Sequence, residues 1–314
     1  MPKENVSIAF YNLENLFDTI NDPHILDDGF TKNGELRWDE ERYRKKLKQL
    51  SQAIVNIGKL DSGVLPSLVG VAEVENKKVL NDLIDQPALK AAGYDYVHFN
   101  SPDERGIDTA LLYRKEDFNV FSAEAKTLHI ESRPGVRDFT RDILYVHGKL
   151  LNIEIHLLVN HWPSRREGVE ASQPKRIAAA EANREIIQQI TSNDPDARIV
   201  VMGDFNDGPQ DVAIREHLVG TDLYNPMVFL HTRYAGSSVH RGDWFLFDQI
   251  ILSTNWMKAY DNPIKYVKSD IHDPEALQEQ GGRFDGNPHR TYAGPRYLGG
   301  ASDHFPVYVV FAIT

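Results

Sequence analysis

The feature that most constrains the fold is a long series of short apolar runs separated by turn-forming residues. Runs of about four to eight residues, rich in β-branched and aromatic side chains and bounded by Gly, Pro, Asn or Asp, are typical of β-strands. The segments predicted as strands are Val6–Asn12, Ser67–Val74, Tyr94–Phe99, Asp108–Arg114, Asn119–Leu128, Ile143–Leu150, Ile153–Trp162, Ala197–Phe205, Trp244–Ser253 and Phe305–Ile313.

Two segments have helical spacing instead. Residues 39–57 carry apolar side chains three and four positions apart, which predicts an amphipathic helix with Tyr43, Leu47, Leu50, Ile54 and Ile57 on its buried face. A second helix is predicted from about Pro174 to Ile190, with Ser172 as its cap and Pro174 in its first turn.

Many strands joined by tight turns, with helices at wide intervals, predict an α/β fold of two packed sheets flanked by helices. The sequence contains no repeat, low-complexity tract or Pro/Gly-rich linker, so one domain over residues 1–314 is the simpler interpretation. Leu13–Leu36 and Asp270–Ser302 are predicted as extended loops, and long loops in a compact domain are often functional.

Composition restricts the chemistry. The chain has no cysteine, which excludes disulfides, zinc–thiolate sites and cysteine nucleophiles. The formal charge of −11 disfavours a tight non-specific DNA binder, because such proteins neutralise phosphates with basic residues. The same acidic balance is expected where carboxylates gather around a divalent cation.

No apolar run reaches the length needed to cross a bilayer. The first residues lack the basic-then-apolar layout of a signal peptide. By default we expect a cytoplasmic protein, or a secreted or periplasmic one if a leader has been removed. We also expect a monomer.

The strongest chemical signal is Gly203-Asp204-Phe205-Asn206, which ends a very apolar strand. An acid and an amide at this point are exposed at a sheet edge, where Asp204 could accept a proton from water and Asn206 could donate to a phosphate oxygen. The alternative is an Asx turn that closes the strand, since Asp and Asn favour turns.

Two further signals adjoin apolar strands. In Ser302-Asp303-His304-Phe305, adjacent side chains of an extended chain point to opposite sides, so one can meet a metal while the other meets substrate. Glu73 ends a hydrophobic strand, where a charge needs a partner such as a divalent cation. The alternative is an acid that caps the segment starting near Asn76, a role that Glu75 fits better.

Four more polar residues lie in or at the ends of apolar strands. Asn12 alone would be interpreted as a turn residue, and a solitary His161 is more often structural than catalytic. Asp248 lies between apolar side chains in Trp244–Ser253, so it needs a cationic or hydrogen-bonding partner such as an active-site histidine. Asp108 opens the strand DTALLYR. Independent accidents would not place every one of these residues so consistently.

In this order, the motifs FYNLEN, GVAEVEN, GIDTALLYR, NHWPSRR, GDFNDGP, FDQIILS and SDHFPV resemble the endonuclease/exonuclease/phosphatase superfamily. That group includes deoxyribonuclease I, abasic-site endonucleases, bacterial sphingomyelinases and inositol polyphosphate 5-phosphatases. The similarity extends from Asn12 to Val307, and GDFN followed by SDHFP is its specific part. It implies a four-layer α/β/β/α sandwich, deoxyribonuclease I-like, with the site where the strand ends of both mixed sheets meet.

The resemblance also implies a role for each matching residue. Glu73 corresponds to the principal metal ligand, assisted by Asn12 and Asp303, and the ion is one Mg²⁺ with Mn²⁺ as a substitute. Asp204 corresponds to the residue that positions or deprotonates the attacking water, and Asn206 to its neighbour on the phosphate.

Two histidines complete the implied site. His304 and His161 correspond to the pair beside the scissile phosphate. Asp248 corresponds to the acid that orients His304, and Asp108 to the one that orients His161. The predicted reaction is hydrolysis of a phosphodiester by direct attack of water, because no serine occurs in a nucleophile-elbow context.

A nucleic acid, DNA or RNA, is the leading substrate. The basic residue that follows this aspartate in inositol phosphatases is absent, because Gln249 follows Asp248 here. Arg165 and Arg166 could hold flanking phosphates or belong to a solvated charged segment. Residues 287–297 interleave basic and aromatic side chains, among them Arg290 and Tyr292, which suits a phosphate with a base or sugar ring, or a lid.

Three alternatives stay open beside the nuclease. The first is an enzyme of the same superfamily acting on a lipid or a small phosphorylated molecule. The second is an inactive binding module, which predicts damaged metal and water-activating positions, and none is visible. The third is a zinc hydrolase, which the absence of HExxH and of clustered histidines disfavours.

Overall fold

The computed structural model describes residues 5–133, 135–258 and 262–313. The α-helices are α1 (Glu40–Asn56), α2 (Lys59–Ser62), α3 (Lys77–Ile84), α4 (Pro87–Ala91) and α5 (Val169–Asn193). Shorter helical segments are a π-helix, Ala213–Val219, and 3-10 helices at Thr254–Met257, Glu275–Leu277 and Gly282–Phe284. Within these described ranges, no helix combines the length and apolarity needed to span a membrane.

Each of the ten predicted segments contains a strand. The strands are β1 (Asn5–Leu16), β2 (Leu68–Val74), β3 (Tyr94–His98), β4 (Asp108–Arg114), β5 (Phe118–Lys126), β6 (Ile130–Arg133), β7 (Val136–Asp138), β8 (Ile143–Leu150), β9 (Ile153–His161), β10 (Ile199–Asp204), β11 (Leu223–Tyr224), β12 (Ser238–His240), β13 (Asp243–Phe245), β14 (Asp248–Ser253), β15 (Ile264–Ile271), β16 (Tyr292–Ala293), β17 (Arg296–Tyr297) and β18 (Val307–Ile313). Of these, β6, β7, β11, β12, β15, β16 and β17 were not predicted.

Two six-stranded sheets form the centre of the fold. Sheet 1 has the order β15-β18-β1-β2-β4-β3, and sheet 2 has the order β11-β14-β10-β9-β8-β5. Both are mixed, because β1 pairs in parallel with β2 and β9 in parallel with β10, while their other neighbours are antiparallel. A parallel pair needs a crossover connection. The segment with α1 supplies it in sheet 1, and the segment with α5 supplies it in sheet 2.

The two faces of β1 show why the sheets stack. Ile8 and Phe10 belong to the core between the sheets, whereas Ala9 and Tyr11 belong to the core under α1 and α3. Successive side chains of a strand point to opposite faces, so one apolar strand serves two layers. A third core lies between sheet 2 and α5. The expected α/β/β/α sandwich is therefore confirmed.

Helix α1 begins as predicted. Asp39 is its N-cap and accepts from the amide of Arg42, and Glu40 and Glu41 occupy the first turn. A side-chain cap satisfies an otherwise unpaired amide, and acidic residues there interact favourably with the helix dipole. Its buried face includes the apolar residues that defined the prediction.

Three boundaries differ from the predictions. Helix α5 begins at Val169, and Ser172 is not its cap but donates to the carbonyl of Gly168 from inside the helix, which also contains Pro174. The segment Trp244–Ser253 divides into two strands, because β13 pairs with β12 and only β14 joins sheet 2. The first residues of the predicted loop Leu13–Leu36 extend β1 to Leu16.

One edge of the sandwich receives the ends of several strands. The carboxyl ends of the parallel strands β1, β2, β9 and β10 lie there, and so do the starts of their antiparallel neighbours β14 and β18. Every strand that carries a predicted site motif ends or begins at this edge. The last residues of the GDFN motif lie in the loop that follows β10.

Candidate active site

The backbone of sheet 2 brings the first group together. Asp204 is the register partner of both Asp248 on β14 and His161 on β9. The residue before Asp204 is Gly203. A side chain would not fit there, because β9 passes close by and a Cβ would lie 2.4 Å from the carbonyl oxygen of Asn160. Asn206 follows in a left-handed conformation, with φ of 50°, and its amide donates to Asp204 Oδ1 at 2.9 Å.

Glu73 has an unusual backbone. Its φ is 64°, and it lies where the register of β2 against β4 shifts between Ala72 and Val74. A non-glycine residue held in the left-handed region costs free energy and is often found at functional sites, as are bulges. The amide of Asn15 donates to Glu73 Oε2 at 2.8 Å, and this contact holds the carboxylate in place.

Two contacts join the sheets at this edge. Asn12 on sheet 1 donates from Nδ2 to Asp204 Oδ2 on sheet 2 at 3.0 Å. His161 Nε2 lies 3.8 Å from both Glu73 Oε1 and Asp204 Oδ2. Four motifs that are far apart in sequence therefore converge within a few ångströms.

The expected partnership of Asp248 with His304 is present. His304 Nδ1 lies 2.6 Å from Asp248 Oδ2, and Asp248 is fully buried. On its other side, His304 Nε2 lies 3.8 Å from Asp303 Oδ1 and 4.0 Å from Asp204 Oδ2. The aspartate therefore holds one ring nitrogen and leaves the other directed at the carboxylates of the site.

Burial and neighbouring charges shift the pKa values of the cluster in different directions. Burial, reinforced by Asp248, raises the pKa of Asp204 to about 6. Burial and the guanidinium of Arg141 lower the pKa of His161 well below its usual value. Burial alone would also lower the pKa of His304, but the carboxylate of Asp248 outweighs it and raises that pKa well above the usual value. Near neutral pH, His161 is therefore neutral and His304 is charged.

The structure corrects the expected role of Asp108. It does not pair with His161: Asp108 Oδ2 lies 2.9 Å from His98 Nε2, and Oδ1 accepts from the amide of Ser101 at 2.9 Å. His161 Nδ1 is buried with no hydrogen-bond partner among the described residues. His98 lies closer to Asp108 because its strand, β3, pairs with β4 in the same sheet. His161 belongs to the other sheet.

Arg165 also has a different role from the predicted one. Its Nε donates to the carbonyl of Asn206 at 2.6 Å, and its Nη2 pairs with Asp207 at 2.6 Å and with Asp211. Its guanidinium is thus engaged within the protein and braces the turn that follows Asp204. Arg166 makes no such contact with any of the described residues, and its charge contributes to lowering the pKa of His161. It remains a candidate for contact with substrate.

Tyr292 is not a substrate contact in this structure. Its ring is buried against Trp38 and Phe30, and its hydroxyl donates to the carbonyl of Leu36 at 2.9 Å. Hydrophobic packing beneath the 270–302 loop explains this aromatic residue better than base stacking. Arg290 is partly exposed and pairs with Asp303 Oδ2 at 3.1 Å, so it lies beside the site.

Sequence reasoning missed two buried charged residues behind the site, Lys46 and Glu14. Lys46 Nζ donates to the carbonyl of Glu14 and to Thr291 Oγ1, the latter at 2.6 Å. Burial raises the pKa of Glu14 to about 7, with Asp303 as the next cause. A detectable signal did exist: Lys46 follows Tyr43 by three residues and so lies on the apolar face of α1, where a lysine needs a partner.

A second missed residue is Arg141. It donates from Nε to the carbonyl of His161 at 3.2 Å and from Nη2 to that of Trp162 at 2.7 Å, and it pairs with Asp103 at 3.0 Å. These contacts hold the end of β9 in place. No local pattern around residue 141 indicates this role.

The donor set suits a hard divalent cation. Glu73, Asp303 and Asn12 offer carboxylate and amide oxygens, and two buried polar atoms of the site, Asp248 Oδ1 and His161 Nδ1, have no partner among the described residues. Asp204, Asp248 and His304 also each have a ligand atom within 4.8 Å of the others. His304 and Asp248 are hydrogen-bonded to each other. We therefore regard the oxygens of Glu73, Asp303 and Asn12 as the better ligands for the cation.

The carboxylates of Glu73, Asp204 and Asp248 therefore converge with His161 and His304 at one edge of the two sheets. The chain belongs to the Endonuclease/Exonuclease/phosphatase family, whose sequence profile matches residues 7–313. Members of this family are phosphoric ester hydrolases that depend on divalent metals. Comparison with curated proteins gives no significant match.

Solved structures with the same fold come from several organisms. Truncated TDP2 from Caenorhabditis elegans superposes with a TM-score of 0.61 at 16% identity, covering 99% of this chain and 98% of that one. A family protein from Bacteroides thetaiotaomicron gives 0.61 at 18% identity, with 99% of each chain covered. A mannosyl-6-phosphatase from the same organism gives 0.58 at 17% identity, covering 97% and 98%.

Proposed function

We propose that this chain is a Mg²⁺-dependent phosphodiesterase that hydrolyses its substrate by direct attack of water, with nuclease-like activity on DNA or RNA. The observation that carries the proposal is the Asn12–Asp204 contact at 3.0 Å, which joins the sheets and brings the water-activating and metal-binding motifs together. Single-strand DNA product is bound to Danio rerio TDP2 in one structure of the same fold.

The proposed metal ligands are Glu73, Asn12 and Asp303, and Mn²⁺ is a suitable substitute. When bound, the cation withdraws charge from the phosphate and so makes the phosphorus a better electrophile. Glu73 is fixed by the amide of Asn15, and Asn12 by its contacts with Asp204 and Glu14. Such fixed ligands need little reorganisation when the cation arrives.

The proposed base is Asp204. Its pKa of about 6 lies close to neutral pH, so the carboxylate is mainly ionised yet basic enough to take a proton from water. Asn206 lies two residues further on, and its side chain donates to the carbonyl of Trp162 at 3.0 Å. We assign its second amide proton to a phosphate oxygen.

The proposed donors to the phosphate are the two histidines. His304 is held in its charged form by Asp248, so its Nε2 can donate a proton to an oxygen on which negative charge accumulates. His161 is neutral and its Nε2 lies 3.8 Å from Asp204 Oδ2, so it can donate a hydrogen bond beside Asp204 without adding charge. No covalent intermediate is required.

A second candidate is a phosphatase or phosphodiesterase of a small phosphorylated molecule. Two observations favour it: the net charge is −11, and Arg165, which could have gripped a nucleic-acid backbone, is engaged by Asp207 and Asp211. The basic residues left near the site are few, and Arg166 and Arg290 are the main ones. A small substrate needs fewer phosphate contacts than a nucleic acid does.

The first experiment tests catalysis itself. Hydrolysis of bis(p-nitrophenyl) phosphate is measured with Mg²⁺ or Mn²⁺, with and without EDTA, for wild type, Asp204→Asn and Asp196→Asn. Asp196 is an exposed aspartate paired with Lys258, so it controls for the loss of one charge. We expect activity that EDTA abolishes, a fall of roughly 10²–10⁴ in Asp204→Asn, and no change in Asp196→Asn. Inactivity with every metal would favour a binding module.

The second experiment separates the substrate classes. Plasmid DNA, abasic duplex, RNA, sphingomyelin, inositol phosphates and a sugar phosphate are offered side by side to the Mg²⁺-loaded protein. Cleavage of nucleic acid at higher kcat/KM than any other substrate supports the nuclease. Preference for a sugar or inositol phosphate would replace it with the second candidate.

A further inference from the structure

A second cluster of metal-ligating side chains lies away from the active site, on the hairpin of β8 and β9. His147 and His156 are direct cross-strand partners, and Glu154 precedes His156 by two residues. Because side chains alternate along a strand, all three point to the same face of sheet 2. His156 is five residues from His161, so the cluster lies about 16 Å along β9 from the proposed catalytic site, at roughly 3.3 Å per residue.

The geometry of this cluster is compact. The rings of His147 and His156 are stacked with centroids 4.3 Å apart and an interplanar angle of 2°. His147 Nε2 lies 2.8 Å from Glu154 Oε1. Each of the three residues has a ligand atom within 4.8 Å of those of the others. Ligands around a tetrahedral zinc ion are roughly 3.3 Å apart when each bond is about 2.0–2.1 Å, so the cluster needs only small side-chain adjustments.

A neighbouring tyrosine orients one of the two histidines. The hydroxyl of Tyr145 lies 2.8 Å from His156 Nδ1, which leaves Nε2 as the nitrogen available to a metal. Histidines that bind metals almost always have their second ring nitrogen engaged in this way.

The surroundings provide space and negative charge. The cluster lines a hollow of about 350 Å³ between the hairpin and the end of α5, which contributes Ile190, Asn193 and Asp194. Glu124 also lines the hollow, so carboxylates from β5 and from the end of α5 lie around it. The one lysine in the lining, Lys126, is paired with Glu124 at 2.7 Å.

We propose that His147, Glu154 and His156 form a transition-metal site that takes Zn²⁺, with the fourth position open to water. Two imidazole nitrogens and one carboxylate favour a borderline ion such as Zn²⁺ over Mg²⁺, which prefers oxygen ligands and octahedral geometry. Binding ties the β8–β9 hairpin together next to α5 and stabilises the folded chain, since an ion that binds the native state shifts the unfolding equilibrium.

The test measures bound zinc in protein without a histidine tag. Equilibrium dialysis against Zn²⁺ is performed in excess Mg²⁺, in a Glu73→Gln background that weakens the catalytic metal site, and metal content is determined by mass spectrometry. We expect one Zn²⁺ per chain, and none in the same background carrying His147→Ala or His156→Ala. His240→Ala removes an exposed histidine elsewhere and should retain the ion.

Three measurements protect the test against misfolding. Tyr145→Phe keeps all three ligands and should bind Zn²⁺ more weakly, because it loses only the hydroxyl that orients His156. In the Glu73 wild-type background, each of the variants should hydrolyse bis(p-nitrophenyl) phosphate normally with Mg²⁺. Zinc should raise the melting temperature of the parent but not of His147→Ala. Undiminished zinc in His147→Ala and His156→Ala, or no zinc in the parent, would overturn the proposal.

Discussion

Replacing Asp248 by asparagine tests the central electrostatic feature of the proposed mechanism. Asp248 is fully buried and lies 2.6 Å from His304 Nδ1. Asparagine has nearly the same shape, so the substitution removes a charge while leaving the packing of β14 almost unchanged. We expect His304 to lose its proton near neutral pH and the enzyme to lose its charged donor to the phosphate.

The magnitude follows from the distance. Two unit charges about 4 Å apart interact by roughly 4 kcal/mol at an effective dielectric constant of about 20. That energy corresponds to about three pKa units, so without the charge of Asp248 the effect of burial, which lowers the pKa of His304, meets far less opposition. Loss of a general acid typically lowers the rate by roughly 10²–10⁴, so we expect kcat of Asp248→Asn to fall within that range.

The assay is the pH dependence of kcat and KM for bis(p-nitrophenyl) phosphate at saturating Mg²⁺. Protonation of His304 becomes easier as the pH falls, so the residual activity of the variant should rise on the acidic side of neutrality. The wild type should show no such rise, because its His304 is already charged there. KM should change much less than kcat.

Asp108→Asn is the matched control. It breaks another buried Asp–His pair, with His98 at 2.9 Å, in the other sheet. We expect it to lower thermal stability and to leave kcat and its pH profile unchanged. If Asp248→Asn kept the wild-type rate and pH profile, or if Asp108→Asn lost as much activity, the reasoning about charge and partnership would be wrong.

Three further predictions concern metal affinity, pH and packing. Glu73→Gln should raise the Mg²⁺ concentration for half-maximal activity, and an unchanged metal titration would contradict its role as a ligand. The metal-free protein should melt at lower temperature as the pH rises from about 4.5 to about 7: burial raises the pKa of Glu14 to about 7 and that of Glu75 to about 7, so the stability from their protons is complete below their unfolded pKa of 4.5, falls across this window and is lost once the pH has passed about 7. Glu75→Gln should flatten this dependence, and calorimetry that finds the opposite slope would exclude the explanation. Tyr292→Phe should lower the free energy of unfolding by about 1 kcal/mol, as measured in denaturant titrations, and leave KM unchanged. A raised KM would instead indicate that Tyr292 contacts the substrate.

Much of the architecture was predictable because it rests on local rules. The alternation of side chains in β1 and the helical spacing in α1 each identify an element from its own residues. Polar residues next to buried strands need an interaction partner or a function. The motifs that end β10 and begin β18 therefore indicated a site. The buried Asp248 indicated a partner such as an active-site histidine by the same argument, and the family resemblance implied that this histidine is His304, with which it pairs.

Other features depend on contacts between segments that no local pattern connects. Asp108 pairs with His98 because β3 and β4 are neighbours in one sheet, and that register is a property of the assembled sheet. Lys46 on α1 reaches Thr291, 245 residues away in sequence. Tyr292 is buried against Trp38 because the late loop folds back onto the first sheet.

Local propensity and the hydrophobic pattern both depend on neighbouring residues. They were therefore sufficient to predict the layers, the strand ends and the chemical type of the site. The choice of partner for each buried charge required the tertiary structure. A charge is stabilised by whichever group the packing brings within a few ångströms, and here those groups come from a neighbouring strand, from the other sheet or from distant loops.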